Sequence, residues 1–276
     1  MRAVATILAL CLSAAANSQS SAWPGGIATL DLGPASGAPP TVEFNGDRVL
    51  VMNDAGNWRA VVGVPLSAET GLASITFADG TVMSFGVEAH AYLEEHLEVA
   101  QSYVSLSEEN LARYQRERKV IDAALNSWRD VPLDDVSLAN PVEGPRSSSF
   151  GKRRFFNDEP RSPHSGMDIA VPEGTPIAAP RGGVVSATGD FYFNGNTVFV
   201  DHGQGLVTMY CHMSKIGVKP GQTVNTGDSL GAVGMTGRVT GPHLHWGVSL
   251  NDARIDPLLF LPDAADSTAQ NGETTP

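Results

Sequence analysis

A chain of 276 residues, 42% hydrophobic and 17% charged, can form one large domain or two modest ones, each burying its own core. Its formal charge of -12 at pH 7 argues against nucleic acid as a partner, because phosphate binding needs a basic footprint.

The first element reads as an export signal over residues 1–22. Met1-Arg2 makes a short positive start, Ala3 to Ala15 an apolar run, and Ala14-Ala15-Ala16 or Ala16-Asn17-Ser18 a small-residue cleavage site. About thirteen apolar residues are too few to cross a bilayer core of ~30 Å as a helix. Cleavage is expected, leaving an exported mature chain that starts near residue 17 to 23 and has no transmembrane segment. Cys11 leaves with the signal, so Cys211 is the only cysteine of the mature chain and no internal disulfide can form.

Residues 23–104 read as a small β-domain. From Ile27 to Glu88 short apolar runs alternate with turn signals, among them Asn45-Gly46 and Asp79-Gly80, which supply the positive φ angles of tight hairpins. His90 to Val104 is ambiguous: Leu97, Val99 and Tyr103 alternate as in a strand, while Glu94-Glu95 suits a helix. His90 and His96 have no ligand-like partner at helical spacing and read as surface residues.

A helix is predicted within 105–130. Ser105 with Glu108 resembles a capping box, and Leu111, Tyr114, Val120, Ile121, Leu125 and Trp128 follow at helical spacing, from about Leu106 to Trp128. Residues 131–149, with Pro132, Pro141, Pro145 and three consecutive serines, read as a linker. Over 150–262 Gly and Pro recur between short β-branched stretches, the texture of an all-β domain, and the tail 263–276 reads as disordered. The fold class expected is therefore mainly β, an all-β domain of antiparallel sheets preceded by a small β-domain and one helix.

Five of the seven histidines fall between His164 and His245. On a strand, His243 and His245 project from one face because side chains alternate, and His164-x-x-x-Asp168 and His212 complete the group. Two histidines and a carboxylate leave the fourth tetrahedral position of zinc open, the arrangement of a catalytic site. The bland alternative explains each residue separately as packed or solvated, and gives no reason for Gly166 and Gly241-Pro242 to flank them. Cys211 invites a nucleophile reading. Strand alternation points it away from the face of His212, and a buried core thiol is the plainer account. His202, in Asp201-His202-Gly203, reads as a structural residue in a turn.

The sequence resembles the lysostaphin-type, LytM-like zinc endopeptidases of peptidoglycan. The motifs that carry the resemblance are His164-Ser165-Gly166-Met167-Asp168, Gly174-Thr175-Pro176-Ile177, Gly182-Gly183-Val184-Val185, Asp201-His202-Gly203, Tyr210-Cys211-His212, Gly234-Met235-Thr236-Gly237 and Gly241-Pro242-His243-Leu244-His245-Trp246. The order of β-region, helix, linker and peptidase is also similar to Gram-negative envelope members with an N-terminal β-domain. The resemblance implies one Zn2+ ion held by His164, Asp168 and His245. It leaves His212 and His243 unligated; on chemical grounds His243 is the choice for general base to zinc-activated water, with His212 then stabilising the oxyanion. It also implies an open groove for peptidoglycan stem peptides, with the bond between D-alanine and meso-diaminopimelate as substrate in Gram-negative members. Arg153, Arg154 and Arg161 could meet substrate carboxylates there, or simply be solvated.

Two rival roles follow from the same resemblance: a non-catalytic activator of a cell-wall amidase, and, for the N-terminal domain, wall binding or self-inhibition. Intact His164, Asp168, His212, His243 and His245 weigh against the first. No H-E-x-x-H occurs, which excludes the helical zinc proteases.

Overall fold

The structure, a computed structural model, describes residues 22–98 and 106–262. The expected export signal with Cys11, apart from Ala22, and the tail 263–276 lie outside the described residues, as does the Val99–Val104 part of the ambiguous segment. No helix among the described residues is long and apolar enough to cross a membrane.

The N-terminal part folds into two antiparallel sheets. One orders the strands Ile27–Pro34, Asn57–Gly63 and Leu50–Asp54; the other orders Asp47–Arg48, Val42–Phe44, Gly71–Phe77 and Val82–Val87. Asn45 and Gly46, at φ 54° and 92°, make the two-residue turn their sequence predicts. Between the sheets lie Leu30, Val42, Phe44, Val62, Ile75 and Phe85. Alternation sends Leu50 and Val61 the other way, into the larger C-terminal core.

Polar groups seal that junction. Asn251 accepts the Gly63 N–H at 2.6 Å and donates to the Gly63 carbonyl at 3.0 Å, both buried, and the Gln204 amide oxygen accepts the Val51 N–H at 3.1 Å. A Cβ on Gly63 would lie 2.6 Å from the Leu250 carbonyl, so only glycine admits this approach.

Within the ambiguous segment, Glu94–Leu97 is a strand, running parallel to Arg153–Phe156. His90 and His96 are exposed, His90 stacking on Trp23 and His96 on Phe155. The helix spans Glu108–Leu125, ending before Trp128, and its N-cap is Ser107, whose Oγ accepts the Asn110 N–H; Ser105 lies outside the described residues. Residues 131–149 are mostly irregular but wrapped: Leu133, Leu138 and Val142 are buried in the larger core, and Arg146–Ser148 is a strand.

The C-terminal part is built on an eight-stranded sheet. Its order is Thr223–Val224, Gly183–Phe191, Gly195–Gly203, Leu206–Met213, Leu244–Leu250, Met167–Ile169 and Arg146–Ser148, with Ala253–Ile255 also on the Leu244–Leu250 strand. One face carries Val198, Tyr210, Trp246 and Val248 into the larger core, which the small sheet of Pro176–Ala178, Ser229–Ala232 and Lys215–Ile216 helps enclose through Ile177 and Leu230. The other face packs Phe199, Val207, Met209 and Cys211 against Ala124 and Leu125 of the helix. Mainly β, with antiparallel sheets and one α-helix among the described residues, is thus the observed class.

Candidate functional site

Backbone register brings the polar residues together. Asp168 pairs with His245 across the central strands and His245 with Cys211, so all three project from the helix-bearing face of the sheet. His243 precedes the same strand two residues earlier, with Leu244 turned into the core between the two rings. His164 enters from the segment before Met167–Ile169, its main chain bonded to Lys152 and Gly151.

His212 arrives by a different route. Its strand carries an irregularity opposite Asn196–Val198, where Cys211 and His212 both face Thr197, and His212 has φ 62°. A bulge with a left-handed residue re-aims a side chain. Regular alternation would send His212 to the face opposite Cys211; the bulge instead sets its ring 4.8 Å from that of His243 and 6.0 Å from that of His245. The sequence reading placed Cys211 away from the site face. Register puts it beneath His245, and the core-thiol account rests on burial, which pushes the thiol up to about 12.

Three donor atoms converge. His164 Nε2 is 3.0 Å from Asp168 Oδ1 and 3.0 Å from His245 Nδ1, and His245 Nδ1 is 2.9 Å from Asp168 Oδ1. Atoms bound at about 2.0–2.1 Å around a tetrahedral ion stand about 3.3 Å apart, so this triangle fits one metal ion. His164 Nδ1 donates to the Ser149 carbonyl at 2.8 Å, which leaves Nε2 a lone pair toward Asp168. Facing lone pairs repel unless a proton or a metal ion lies among them. These three residues form the one metal-capable group found among the described residues.

Electrostatics agree with a cation site. Burial raises the Asp168 carboxyl, but hydrogen bonding with His164 and His245 outweighs it and holds the group well below the usual carboxylate range. Burial also lowers His245, and pushes His212 down to about 3 with His245 adding repulsion. His243 Nε2 stands 3.9 Å from Asp168 Oδ1 while its Nδ1 donates to the Gly241 carbonyl at 2.9 Å. His212 Nδ1 likewise donates to the Thr236 carbonyl at 3.0 Å. Both rings therefore present an Nε2 lone pair.

Gly166 is required by the same cradle. A Cβ there would lie 2.5 Å from the Trp246 carbonyl oxygen and 2.8 Å from His245 Cε1 and Nε2. The carbonyls of Ser149, Gly241 and Thr236 that orient the rings had no signal of their own in the sequence, although Gly241 and Thr236 sit in motifs already singled out.

The remaining expectations resolve differently. His202 is buried inside a strand rather than in a turn, Nδ1 bonded to the Gly182 carbonyl and Nε2 to Thr208 Oγ1, which meets the Tyr210 hydroxyl. Arg153 pairs with Glu94 at 3.0 Å, Arg154 with Glu95 at 3.3 Å and Arg161 with Glu159 at 2.7 Å, so each guanidinium already has an internal carboxylate.

Comparison with known proteins gives a consistent picture. Residues 162–257 match peptidase family M23, and residues 20–89 match the peptidase family M23 N-terminal domain. Peptidoglycan DD-endopeptidase ShyA of Vibrio cholerae is 48% identical over 101 residues, 36% of this chain and 24% of that protein. Peptidoglycan DD-endopeptidase ShyC of the same organism is 39% identical over 140 residues, 50% of this chain and 32% of that protein. The matches thus span only about a quarter to a third of these relatives. A crystal structure from Pseudomonas aeruginosa named for peptidase M23 superposes with TM-score 0.74 at 45% identity, covering 88% of this chain and 96% of that one. Likeness on that scale, together with matches to both the peptidase and its N-terminal partner domain, shows that the chain belongs to peptidase family M23.

Proposed function

We propose that the protein is a zinc metalloendopeptidase of the cell envelope that hydrolyses peptide cross-links of peptidoglycan. The observation that carries this reading is the convergence of His164 Nε2, Asp168 Oδ1 and His245 Nδ1 beside two imidazoles that keep free Nε2 lone pairs. Two imidazoles and a carboxylate suit zinc and leave room for water and substrate. Zinc bound there would supply Lewis acidity, polarising the scissile carbonyl and acidifying water.

The chain's own residues manage the protons. His243, with Nδ1–H fixed on the Gly241 carbonyl, accepts the proton of the attacking water at Nε2 and later returns it to the leaving amine. His212 in its resting tautomer offers an acceptor, so it first orients the water. It stabilises the oxyanion once its Nε2 takes up a proton from solvent, separate from the one His243 carries to the amine.

The names of the relatives support peptidoglycan as substrate and an exported, periplasmic setting, in keeping with the signal-like residues 1–22. The intact five-residue group disfavours a purely activating partner of an amidase. The divisions 23–104, 105–130, 131–149 and 150–262 are proposed as its working parts. A self-inhibiting role for the N-terminal region draws support from Glu94 and Glu95, which occupy Arg153, Arg154 and Lys152 ahead of His164.

The test is digestion of purified cell wall by the full chain, with and without chelator, alongside metal analysis. Release of peptide ends that stops with chelator and returns with zinc is expected. His245→Ala is expected to lose the metal, and His243→Ala to keep it but lose most turnover; a metal-free His243→Ala protein would overturn the division of roles.

A further inference from the structure

We propose that Glu117, on the helix between the two family-matched stretches, is a positioning residue for His212, acting through the turn that joins the strands Gly183–Phe191 and Gly195–Gly203. This rests on the catalytic reading of His212.

The helix buries only Ala124 and Leu125, yet the Glu117 side chain, nearer its middle, is 14% exposed. Its Oε2 accepts the Tyr192 N–H at 2.8 Å and its Oε1 binds Arg113 Nε, while Arg113 Nη2 donates to the Asp190 carbonyl at 3.1 Å. Tyr114 meets Phe193 edge to face at 5.1 Å. One helical face thus grips the turn at positions 192 and 193 and the strand end before it at position 190. Core packing does not require this, because the contacts are mostly polar and main-chain directed.

The gripped turn in turn holds His212. The Asn194 carbonyl accepts the His212 N–H at 2.8 Å. Thr236, whose carbonyl takes the His212 Nδ1–H, is locked to the same turn: its Oγ1 accepts the Asn196 N–H at 2.9 Å, and a Cβ on Gly195 would lie 2.4 Å from its carbonyl carbon. The Arg238 N–H closes on the Phe193 carbonyl at 3.0 Å. Both the main-chain and the ring hydrogen bonds of His212 therefore end on this turn or on a loop wedged against it. A left-handed histidine such as this one, at φ 62°, persists only where its surroundings over-determine it. Glu117 supplies the outermost of those constraints.

The experiment uses the full-length zinc-loaded protein with Glu117→Ala, Glu117→Gln and Arg113→Met, a purified cross-linked muropeptide dimer as substrate, and a long-range 1H–15N spectrum of the imidazoles. Glu117→Ala is expected to lower kcat by about ten- to a hundredfold, with KM and zinc content unchanged. Its His212 signals are expected to pass from a fixed Nδ1–H tautomer to averaged ring nitrogens. Glu117→Gln, whose amide oxygen still accepts the Tyr192 N–H, is expected to recover most of the rate, and Arg113→Met to show a smaller loss. These two carry the test if the alanine variant does not fold. An unchanged kcat with an unchanged His212 spectrum, or zinc lost in step with activity, overturns the proposal. The spectrum reads His212 directly, so it decides the positioning role even if the wild-type chain cleaves nothing, an outcome that would defeat the catalytic reading alone.

Discussion

Gly166→Ala probes the cradle with a single methyl group. The added Cβ would sit 2.5 Å from the Trp246 carbonyl oxygen and 2.8 Å from two atoms of the His245 ring. Restoring ordinary contact at about 3.4 Å needs the carbonyl to recede by about 0.9 Å and the ring by about 0.6 Å. The carbonyl is poorly placed to move, because Trp246 is wholly buried and paired on both sides, with Met167 and with Tyr210. The strain therefore falls on the His245 ring and on the main chain of residue 166. Metal–ligand distances tolerate only about 0.2 Å, so a displacement near 0.6 Å takes Nδ1 out of range unless the backbone yields. Perturbing the supports of a ligand typically costs 10–100-fold in metal affinity, or about 1.4–2.8 kcal/mol. Competition against a chromophoric chelator at pH 7 measures this, with Gly241→Ala as control, since a Cβ at Gly241 meets nothing within 4 Å. Zinc affinity within twofold of wild type for Gly166→Ala, or an equal loss for Gly241→Ala, would refute the steric argument.

Two further outcomes concern stability. Asn251→Ala strands the buried N–H and carbonyl of Gly63 and is expected to cost about 2–4 kcal/mol in urea unfolding. Zinc affinity should stay unchanged, because Asn251 lies past the end of its strand farthest from His245; metal loss in the folded variant would show the junction and the site to be coupled. His202 is pushed down to about 4 by burial, against ~6.5 when unfolded. As pH falls below ~6.5 the unfolded chain takes the proton first, so stability drops between about pH 6.5 and 4, by about 3 kcal/mol, and the loss is complete below 4. His202→Gln removes this contribution, so the gap in urea midpoint between wild type and variant should narrow from pH 7 to pH 4. A constant gap would contradict it.

What the sequence revealed of the site depended on how local the physics is. Alternation along the extended segment leading into Leu244–Leu250 suffices to place His243 and His245 together, and the hairpin at Asn45-Gly46 needs only its two residues. Spacing along the chain also marks His164 and Asp168, because they straddle the entry to a single strand. The mainly β class was legible for the same reason: turn residues recur between short β-branched runs. The arginines show the limit. Nothing near Arg153 and Arg154 announces Glu94 and Glu95, whose carboxylates reach them through a parallel strand pairing about sixty residues apart in sequence.

His212 marks the boundary most clearly. Its identity and motif pointed to the site, yet a strict reading of alternation from Cys211 would have placed the two on opposite faces, and with Cys211 under His245 that reading would have expelled His212 from the site. Only the extra residue opposite Thr197, and the left-handed backbone it imposes, reconcile the motif with the geometry. That conformation is disfavoured for a histidine by about 1–3 kcal/mol, a cost the chain retains where it aims a ring at the candidate metal site. A bulge specified by contacts from residues 194 and 236 cannot be read from the tripeptide Tyr210-Cys211-His212. The same reasoning explains why the helix drew no functional reading: Glu117 acts on a neighbouring turn's main chain, and main-chain acceptors leave no trace in residue type.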